Sequence, residues 1–478
     1  MNFNIANTGL TVGFFLLNPI FQFQAKAKTS SKPNVLFIIV DDLRTELGCY
    51  GNSFVKSPNI DALAAQSVLF QNSYCNVSVS GASRACIFTG LYPNRDHFVL
   101  AETRLDKDAP GITTLPQLFK QNGYTTIGYG KIYQEIDDAL QSWTELPWHP
   151  QYKDDFSYNG PWADYQSPEN LHKDNKSGPA WEKADVNDSA YHTGKIAQKA
   201  IRRLDQLAKE KKPFFLTVGL IKPHLPFNAP SKYWDMYSAN EIKLAPNPFV
   251  PANAPRESYF NYGELRGYCN MPKKDTLINE EKVRALKHGY LACVSYADAM
   301  VGKVLDELKK TGLDKNTIVV LLGDNGFSLG EHTHWGKHTC FYNSFHVPLI
   351  IKAPRIKAAK SKAVVSYIDI YPTLCDLAGI TKPKHLQSKS DLELMKKPQT
   401  KGGIAFCRFV NGESIITEKY EYTEYYNTKT WKYESCMLYD HDKDPLENVN
   451  VAKKPEYASV VADLSCQLRD HITKVNTK

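Results

Sequence analysis

The sequence predicts an α/β protein, in which a large, doubly wound and mainly parallel sheet domain is followed by a smaller C-terminal α+β domain. Apolar runs rich in β-branched residues alternate with helical patterns over residues 34–377, which is typical of a doubly wound sheet. After Gly379 the chain passes through a Lys- and Ser-rich segment into stretches where polar and apolar residues alternate. Such alternation indicates antiparallel strands with one buried face.

The elements of the large domain follow from these patterns. Residues 34–40 form an unbroken apolar run, as expected for a strand buried on both faces. Further strands are predicted at 125–129, 213–220, 317–322 and 347–351, and helices at 60–70, 115–122, 190–210, 280–310 and 368–377. Active sites of doubly wound sheets lie at the carboxyl ends of the strands, so the residues directly after each strand are the candidates for chemistry.

The domain limits follow from the same reading. The large domain is expected over 28–384, and the C-terminal domain over 385–478 after a linker at 383–399. Within the C-terminal domain we expect strands at 413–426 and 431–439 and a final helix, 457–475, that packs on them.

Residues 1–27 are predicted to be a signal peptide. Residues 10–23 are mostly apolar, and Ala25-Lys26-Ala27 offers a cleavage site. A positively charged start is missing, and a frayed tail is the alternative. The prediction implies an exported protein, periplasmic or secreted.

Composition excludes several classes of protein. With 42% hydrophobic and 23% charged residues the chain is not mainly disordered. No apolar run reaches the roughly 18 residues that a membrane span needs. The formal net charge of +7 suits an anionic substrate, but Lys and Arg are not clustered as in a nucleic-acid-binding protein. The ten cysteines show no metal-binding spacing, and the sequence leaves open whether they form disulfides.

Two of the predicted strands end in acidic pairs. Asp41 and Asp42 follow the first strand, and Asp324 with Asn325 follows the strand at 317–322. Adjacent carboxylates repel each other unless a cation lies between them. Oxygen donors without Cys or His suit Ca²⁺ or Mg²⁺ better than zinc. Taken singly, each pair is also typical of a helix N-cap.

The motif SGASR at residues 80–84, followed by Thr89-Gly90, resembles the signature of the sulfatase family within the alkaline phosphatase superfamily. The resemblance covers nearly the whole chain. Further matching segments occur in order at 34–44, 48–51, 57–61, 130–131, 222–224, 323–326, 330–332, 335–337, 438–440 and 444–445. Residues 222–227 and 335–337 most resemble the iduronate-2-sulfatase branch, which implies an alkaline phosphatase-like fold and a 2-O-sulfated uronic acid as substrate.

The resemblance also implies residue roles. Ser80 matches the position that is oxidised to formylglycine, whose hydrate supplies a nucleophilic hydroxyl. One Ca²⁺ would be held by the residues Asp41, Asp42, Ser80, Asp324 and Asn325. Arg84 and Lys131 would contact the nucleophile, Lys337 would contact the sulfuryl oxygens, and His224 would protonate the departing sugar oxygen. Members with Ser at this position depend on a radical-based, oxygen-independent maturase, which indicates a bacterial protein.

Gln134 departs from the family pattern, because related enzymes place a His shortly after the Gly-Lys pair at 130–131. Gln donates a hydrogen bond but does not exchange a proton near neutral pH. His332 or His334, close to Trp335, is the candidate replacement. A second departure is Ala82, where Pro is commoner.

The stretch 143–181 is rich in aromatic residues, among them Trp143, Trp148, Trp162 and Trp181 together with Tyr152, Tyr158 and Tyr165. These residues either stack on sugar rings or form the small core of a self-packed loop.

Three functions remain in competition. The first is a Ca²⁺-dependent sulfatase acting on a sulfated oligosaccharide or polysaccharide. The second is a phosphoric mono- or diester hydrolase of the same superfamily that uses unmodified Ser80. The third is an inactive binder of sulfated glycans, suggested by Gln134.

Overall fold

The computed structural model describes residues 1–4, 6, 8–9, 32–150, 164–174, 177–259, 263–273 and 276–477. The chain divides into two units, Met1–Ser31 and Lys32–Lys478, and all the elements below belong to the second. The predicted cleavage site lies outside the described residues, as do Tyr152, Tyr158 and Trp162. The predicted limits at residues 27 and 384 stay predictions.

The helices and strands alternate along most of the second unit. The strands are β1 (Asn34–Val40), β2 (Val68–Tyr74), β3 (Thr125–Gly130), β4 (Trp181–Ala184), β5 (Phe214–Leu220), β6 (Phe227–Pro230), β7 (Thr317–Gly323), β8 (Ser328–Leu329), β9 (Trp335–Gly336), β10 (Leu349–Lys352), β11 (Ala359–Ser366), β12 (Ala405–Phe409), β13 (Gly412–Ile416), β14 (Tyr420–Tyr426) and β15 (Tyr433–Asp440). The helices are α1 (Pro58–Ala64), α2 (Ser80–Thr89), α3 (Leu105–Asp108), α4 (Leu115–Gln121), α5 (His192–Glu210), α6 (Ser231–Trp234), α7 (Gly263–Arg266), α8 (Glu280–Lys310), α9 (Tyr342–Phe345), α10 (Ile370–Ala378), α11 (Leu392–Lys396) and α12 (Ala458–Asn476).

The central sheet has seven strands in the order β11-β2-β10-β7-β1-β5-β3. Its pairs are parallel except those of β10, which runs against both β2 and β7. Helices cover both faces: alternate residues of β1 belong to two different apolar clusters, one with α2 and α10 and the other with α1, α5 and α8. This burial on both sides explains why β1 is apolar throughout.

The C-terminal sheet is antiparallel, in the order β12-β13-β14-β15. On one face Tyr422 and Leu438 pack on Leu464 and Leu468 of α12. On the other face Tyr439 belongs to the same apolar cluster as α2 of the large sheet. The predicted fold class, a large mainly parallel sheet with a smaller C-terminal α+β part, is confirmed.

Three local predictions differ from the structure. The helix predicted at 60–70 ends at Ala64 as α1, and strand β2 begins at Val68; short apolar runs do not distinguish buried strands from helices. Strand β11 is half polar because it lies at the edge of the sheet, so its sequence lacks the pattern of a buried strand. The predicted linker contains helix α11.

The cysteines and the helix lengths answer two questions that the sequence raised. All ten cysteines lie in the described residues, and none is part of a disulfide. Across that same part of the chain, no helix combines the length and apolarity that crossing a membrane requires.

Two neighbouring carboxyl groups generate a stability prediction: Asp369 is partly buried just before α10, and Asp391 is buried just before α11. Burial raises the pKa of Asp369 to about 7, and burial together with Asp369 raises the pKa of Asp391 well above its usual range. Unfolded Asp has a pKa of about 4. Protonation of the two carboxyl groups therefore stabilises the fold fully below about pH 4. This contribution is lost as the pH rises through the raised pKa of each group, which is about 7 for Asp369.

We expect Asp391→Asn to raise the Tm at pH 8 by roughly 2–4 °C and to change it less at pH 5, as measured by calorimetry. Asp376→Asn is the control, because Asp376 is half-buried on α10 and pairs with Lys382. The same rise at both pH values would contradict the prediction.

Candidate active site

The candidate site lies at the carboxyl ends of four adjacent strands, β7, β1, β5 and β3. Their register aligns these ends, since Val40 pairs with both Leu220 and Gly323, and Gly130 pairs with Gly219. A Cβ at Gly219, in β5, would lie 1.9 Å from the backbone oxygen of Lys131. The backbone that follows β3 therefore approaches β5 this closely only because residue 219 is glycine. The residues that follow the four strands are therefore neighbours.

Three carboxylates meet there. Ligand oxygens of Asp41, Asp42 and Asp324 lie within 4.8 Å of one another, and all three side chains are fully buried. Asp42 has a φ of 59°, a left-handed conformation that Asp tolerates better than most residues. Its backbone N–H donates to Asp324 Oδ1 at 2.9 Å, and the side-chain amide of Asn325 donates to Asp42 Oδ1 at 2.8 Å.

Ser80 is the first residue of α2. Its Oγ lies 3.1 Å from Asp41 Oδ1, 3.0 Å from Asn325 Oδ1 and 3.2 Å from Lys337 Nζ. The partial positive charge of a helix N-terminus favours anionic groups at this position. The hydroxyl thus lies between the carboxylate of Asp41, the amide oxygen of Asn325 and the ammonium group of Lys337.

Three buried cations complement the carboxylates. Lys131 Nζ donates to Asp41 Oδ2 at 2.8 Å, Arg84 Nε donates to Asp324 Oδ2 at 2.8 Å, and Lys337 Nζ donates to Asp42 Oδ1. Burial alone would raise the pKa of Asp41, but Lys131, His224 and Arg84 outweigh it and hold that pKa below its usual range. All three carboxylates and their partners form one electrostatic unit.

His224 reaches the site from the segment after β5. Its Nδ1 lies 2.6 Å from the carbonyl oxygen of Leu225. A carbonyl only accepts, so Nδ1 carries a proton. Nε2 faces Asp42 Oδ2 at 3.8 Å and Glu264 Oε1 at 3.6 Å. Burial lowers the pKa of His224 to about 4, with Glu264 opposing and Lys337 adding to the effect.

The donor set fits a hard divalent cation. Asp42 Oδ2 is buried and, among the described residues, has no hydrogen-bond partner. The donors around it are carboxylate and amide oxygens, which Ca²⁺ and Mg²⁺ prefer. A cation bound here would satisfy this oxygen.

The structure brings together all nine residues predicted to form the catalytic and metal sites, namely Asp41, Asp42, Ser80, Arg84, Lys131, His224, Asp324, Asn325 and Lys337. The other four predicted residues, Gln134, His332, His334 and Trp335, have separate surroundings. Gln134 and Lys131 line the same pocket. His334 contacts the backbone oxygen of Lys337, Trp335 packs in the core beside α8, and His332 packs on Phe341.

Three neighbours of the site were not predicted to have a role. Lys222 is buried and donates to the carbonyl oxygen of His224 at 2.9 Å; its place in the motif at 222–224 was the available signal. Tyr290 of α8 donates to the backbone oxygen of Asp42 at 2.8 Å. Nothing in the local sequence around Glu264 or Tyr290 indicated these contacts.

Comparisons with known proteins show which families and relatives this chain is similar to. The sulfatase family profile matches residues 33–380, and the profile of the C-terminal region of N-sulphoglucosamine sulphohydrolase matches residues 330–474. The chain is 30% identical to iduronate 2-sulfatase of Mus musculus, over 90% of this chain and 93% of the mouse protein. It is 28% identical to Delta 4,5-hexuronate-2-O-sulfatase of Bacteroides thetaiotaomicron, over 94% of this chain and 91% of that protein.

Solved structures share the fold. One protein, in complex with its substrate D-glucosamine-2-N,6-O-disulfate, superposes with a TM-score of 0.74 and 22% identity, over 94% of this chain and 99% of that chain. The phosphonate monoester hydrolase of Agrobacterium radiobacter superposes with a TM-score of 0.73 and 22% identity, over 93% of this chain and 96% of that chain.

Proposed function

The chain belongs to the sulfatase family, and on that premise we propose that it removes a 2-O-sulfate from a uronic acid, or a similar hexose, at the end of a sulfated oligosaccharide or polysaccharide. The observation that carries the proposal is the position of Ser80, whose Oγ lies between the carboxylates and Lys337. The similarity to a mammalian iduronate 2-sulfatase and to a bacterial hexuronate-2-O-sulfatase supports the sulfate position.

The charge of each side chain in the site determines its proposed role. Lys337 binds the sulfuryl oxygens of the sulfate ester, and Lys131 and Arg84 steady the oxygens of the nucleophile, because fixed cations in a dry site interact strongly with such charge. Arg84 holds Asp324 in place through its Nε. Ca²⁺, when held by Asp41, Asp42, Ser80, Asp324 and Asn325, supplies positive charge that polarises a sulfate oxygen. Formylglycine at position 80 supplies a hydroxyl nucleophile once it is hydrated.

His224 is the proposed proton donor to the leaving sugar oxygen. The imidazole holds one proton at Nδ1, so donation from Nε2 requires the imidazolium form. Lys337 disfavours the imidazolium form of His224. A bound sulfate ester brings negative charge beside Lys337 and weakens this effect. Substrate binding therefore favours the protonation state that the reaction needs.

A phosphate- or phosphonate-ester hydrolase is the second candidate. The fold similarity to a phosphonate monoester hydrolase favours it, and unmodified Ser80 already lies among oxygen donors and cations. The test below distinguishes the two.

The first prediction concerns maturation and substrate together. Co-expression with a radical-type maturase should convert Ser80 to formylglycine, seen by mass spectrometry as a loss of two hydrogens in the tryptic peptide that ends at Arg84. Only this protein should release sulfate from 2-O-sulfated uronic acid disaccharides, as measured by ion chromatography. 6-O-sulfated disaccharides should react at least about 100-fold more slowly, because sites that recognise a polar group discriminate strongly.

Ser80→Ala, co-expressed in the same way, is the matched control and should be inactive. Full sulfatase activity with an unmodified Ser80 peptide contradicts the formylglycine proposal. Phosphate-ester hydrolysis without sulfate release favours the second candidate, and a preference for 6-O-sulfates contradicts the proposed sulfate position.

The second prediction concerns the cation. Removing divalent ions with a chelator should lower kcat by about 100-fold or more, since a Lewis acid contributes several kcal/mol, and Ca²⁺ should restore it. Asp324→Asn should abolish Ca²⁺ binding in calorimetry at this site, whereas Asp205→Asn, at an exposed ion pair, should leave it unchanged. Recovery with Zn²⁺ but not Ca²⁺ would defeat the assignment.

The third prediction concerns His224. His224→Ala should reduce kcat on alkyl sulfates by about 10²–10⁴-fold, the usual contribution of general acid catalysis. The reduction should be smaller on aryl sulfates, whose leaving groups need no proton. His97→Ala, at an exposed position, is the control. An equal loss on both substrate types points to a binding role for His224 instead.

A further inference from the structure

A second cluster of possible metal ligands lies at the C-terminal sheet and shares no residue with the Ser80 site. Glu421 belongs to β14, His441 follows the last residue of β15, and Glu447 lies in the next loop. One ligand atom from each residue lies within 4.8 Å of the other two. Glu421 is fully buried, Glu447 is 2% exposed, and His441 is partly accessible.

The hydrogen bonds of this cluster leave one carboxylate without donors. His441 Nε2 lies 3.1 Å from Glu447 Oε1, and the other oxygen of Glu447 accepts from the backbone N–H of Tyr342 at 3.0 Å. Both oxygens of Glu421 are buried and accept no hydrogen bond from an N–H group or a hydroxyl of the described residues; their contact is with the carboxyl group of Glu447. Tyr439, which pairs with Glu421 across the two strands, likewise has a buried hydroxyl without a partner in that part of the chain.

Among the described residues, no lysine or arginine forms an ion pair with Glu421 or Glu447. In the described part of the chain Glu447 forms an ion pair with His441 alone, and Glu421 forms none. Two buried carboxyl groups in such proximity require either a shared proton or a cation between them.

We propose that Glu421, His441 and Glu447 bind one divalent transition-metal ion of the zinc or manganese class. One imidazole and two carboxylates form a mixed N/O donor set that suits such ions, and three protein ligands leave a position for water or for the Tyr439 hydroxyl. Ca²⁺ is a poor match, because it takes six to eight oxygen ligands. The ion gives the oxygens of Glu421 a positively charged partner besides the carboxyl group of Glu447.

The position of the site suggests a structural effect. Glu421 is the second residue of β14, and His441 directly follows the adjacent strand β15. Glu447 accepts a hydrogen bond from the backbone N–H of Tyr342, the first residue of α9. Helix α9 follows shortly after Lys337 in the chain. A metal ion here ties the C-terminal sheet to the segment that carries Lys337, so its loss is expected to lower thermal stability. This site does not depend on the proposed function of the Ser80 site.

The test measures metal binding without relying on activity. Asp324→Asn removes a ligand of the first cluster, and this variant, stripped of metal, is titrated with Zn²⁺, Mn²⁺ and Co²⁺. We expect uptake of one ion per chain, a zinc- or manganese-dependent rise in Tm, and a Co²⁺ absorption spectrum typical of nitrogen and oxygen ligation. Adding His441→Gln or Glu421→Gln should abolish the uptake and the rise in Tm.

Glu413→Gln is the matched control, because Glu413 is a buried glutamate of the neighbouring strand that already pairs with Arg408; it should keep the ion. If either double variant fails to fold, the test is the Co²⁺ spectrum of the Asp324→Asn chain: nitrogen and oxygen ligation supports the proposal, and any other spectrum contradicts it. No ion uptake by that chain, or uptake that survives both second substitutions, would overturn the proposal and leave Glu421 and Glu447 sharing a proton.

Discussion

Charge compensation at the carboxyl edge of the central sheet is the constraint on which the rest of the site depends. Three buried carboxylates lie within 4.8 Å of one another, and each is paired with a buried Lys or Arg. Removing one partner from such a unit leaves an uncompensated charge in the interior, which is strongly destabilising. The sheet can hold this unit only because the ends of β7, β1 and β5 are in register.

This balance explains how one site suits both a cation and an anion. With three carboxylates and three cationic side chains the unit is close to neutral, so a divalent cation adds positive charge. In the proposed reaction an anionic sulfate ester carries one negative charge, so it offsets part of this excess when it contacts Lys337, which pairs with Asp42 in its absence. Binding of the cation and of the substrate are therefore expected to be coupled.

Much of the site could be predicted from the sequence because its residues follow apolar strands directly. Asp41, Lys131 and Asp324 each come immediately after β1, β3 and β7, and strand ends of a parallel sheet converge. Glu264 and Tyr290 could not be predicted, since they reach the site from helices whose orientation depends on tertiary packing. The same applies to Glu421 and His441, because the register between β14 and β15 has no signal in the sequence.

The C-terminal sheet helps to position residues of the Ser80 site. The segment just before Ser80 lies between two others: Val77 bridges to Arg408 of β12, and the Ser78 hydroxyl donates to the backbone oxygen of Thr339 at 2.9 Å. Ser80 and Lys337 therefore depend on contacts that the C-terminal sheet helps to fix, directly on one side and through Tyr342 and Glu447 on the other. A displacement of about 1 Å in reacting groups is enough to cost roughly 100-fold in rate. We therefore expect the position of this sheet to affect the rate. The proposed metal ion at Glu421, His441 and Glu447 links β14 to the loop after β15 and so strengthens the attachment of the sheet.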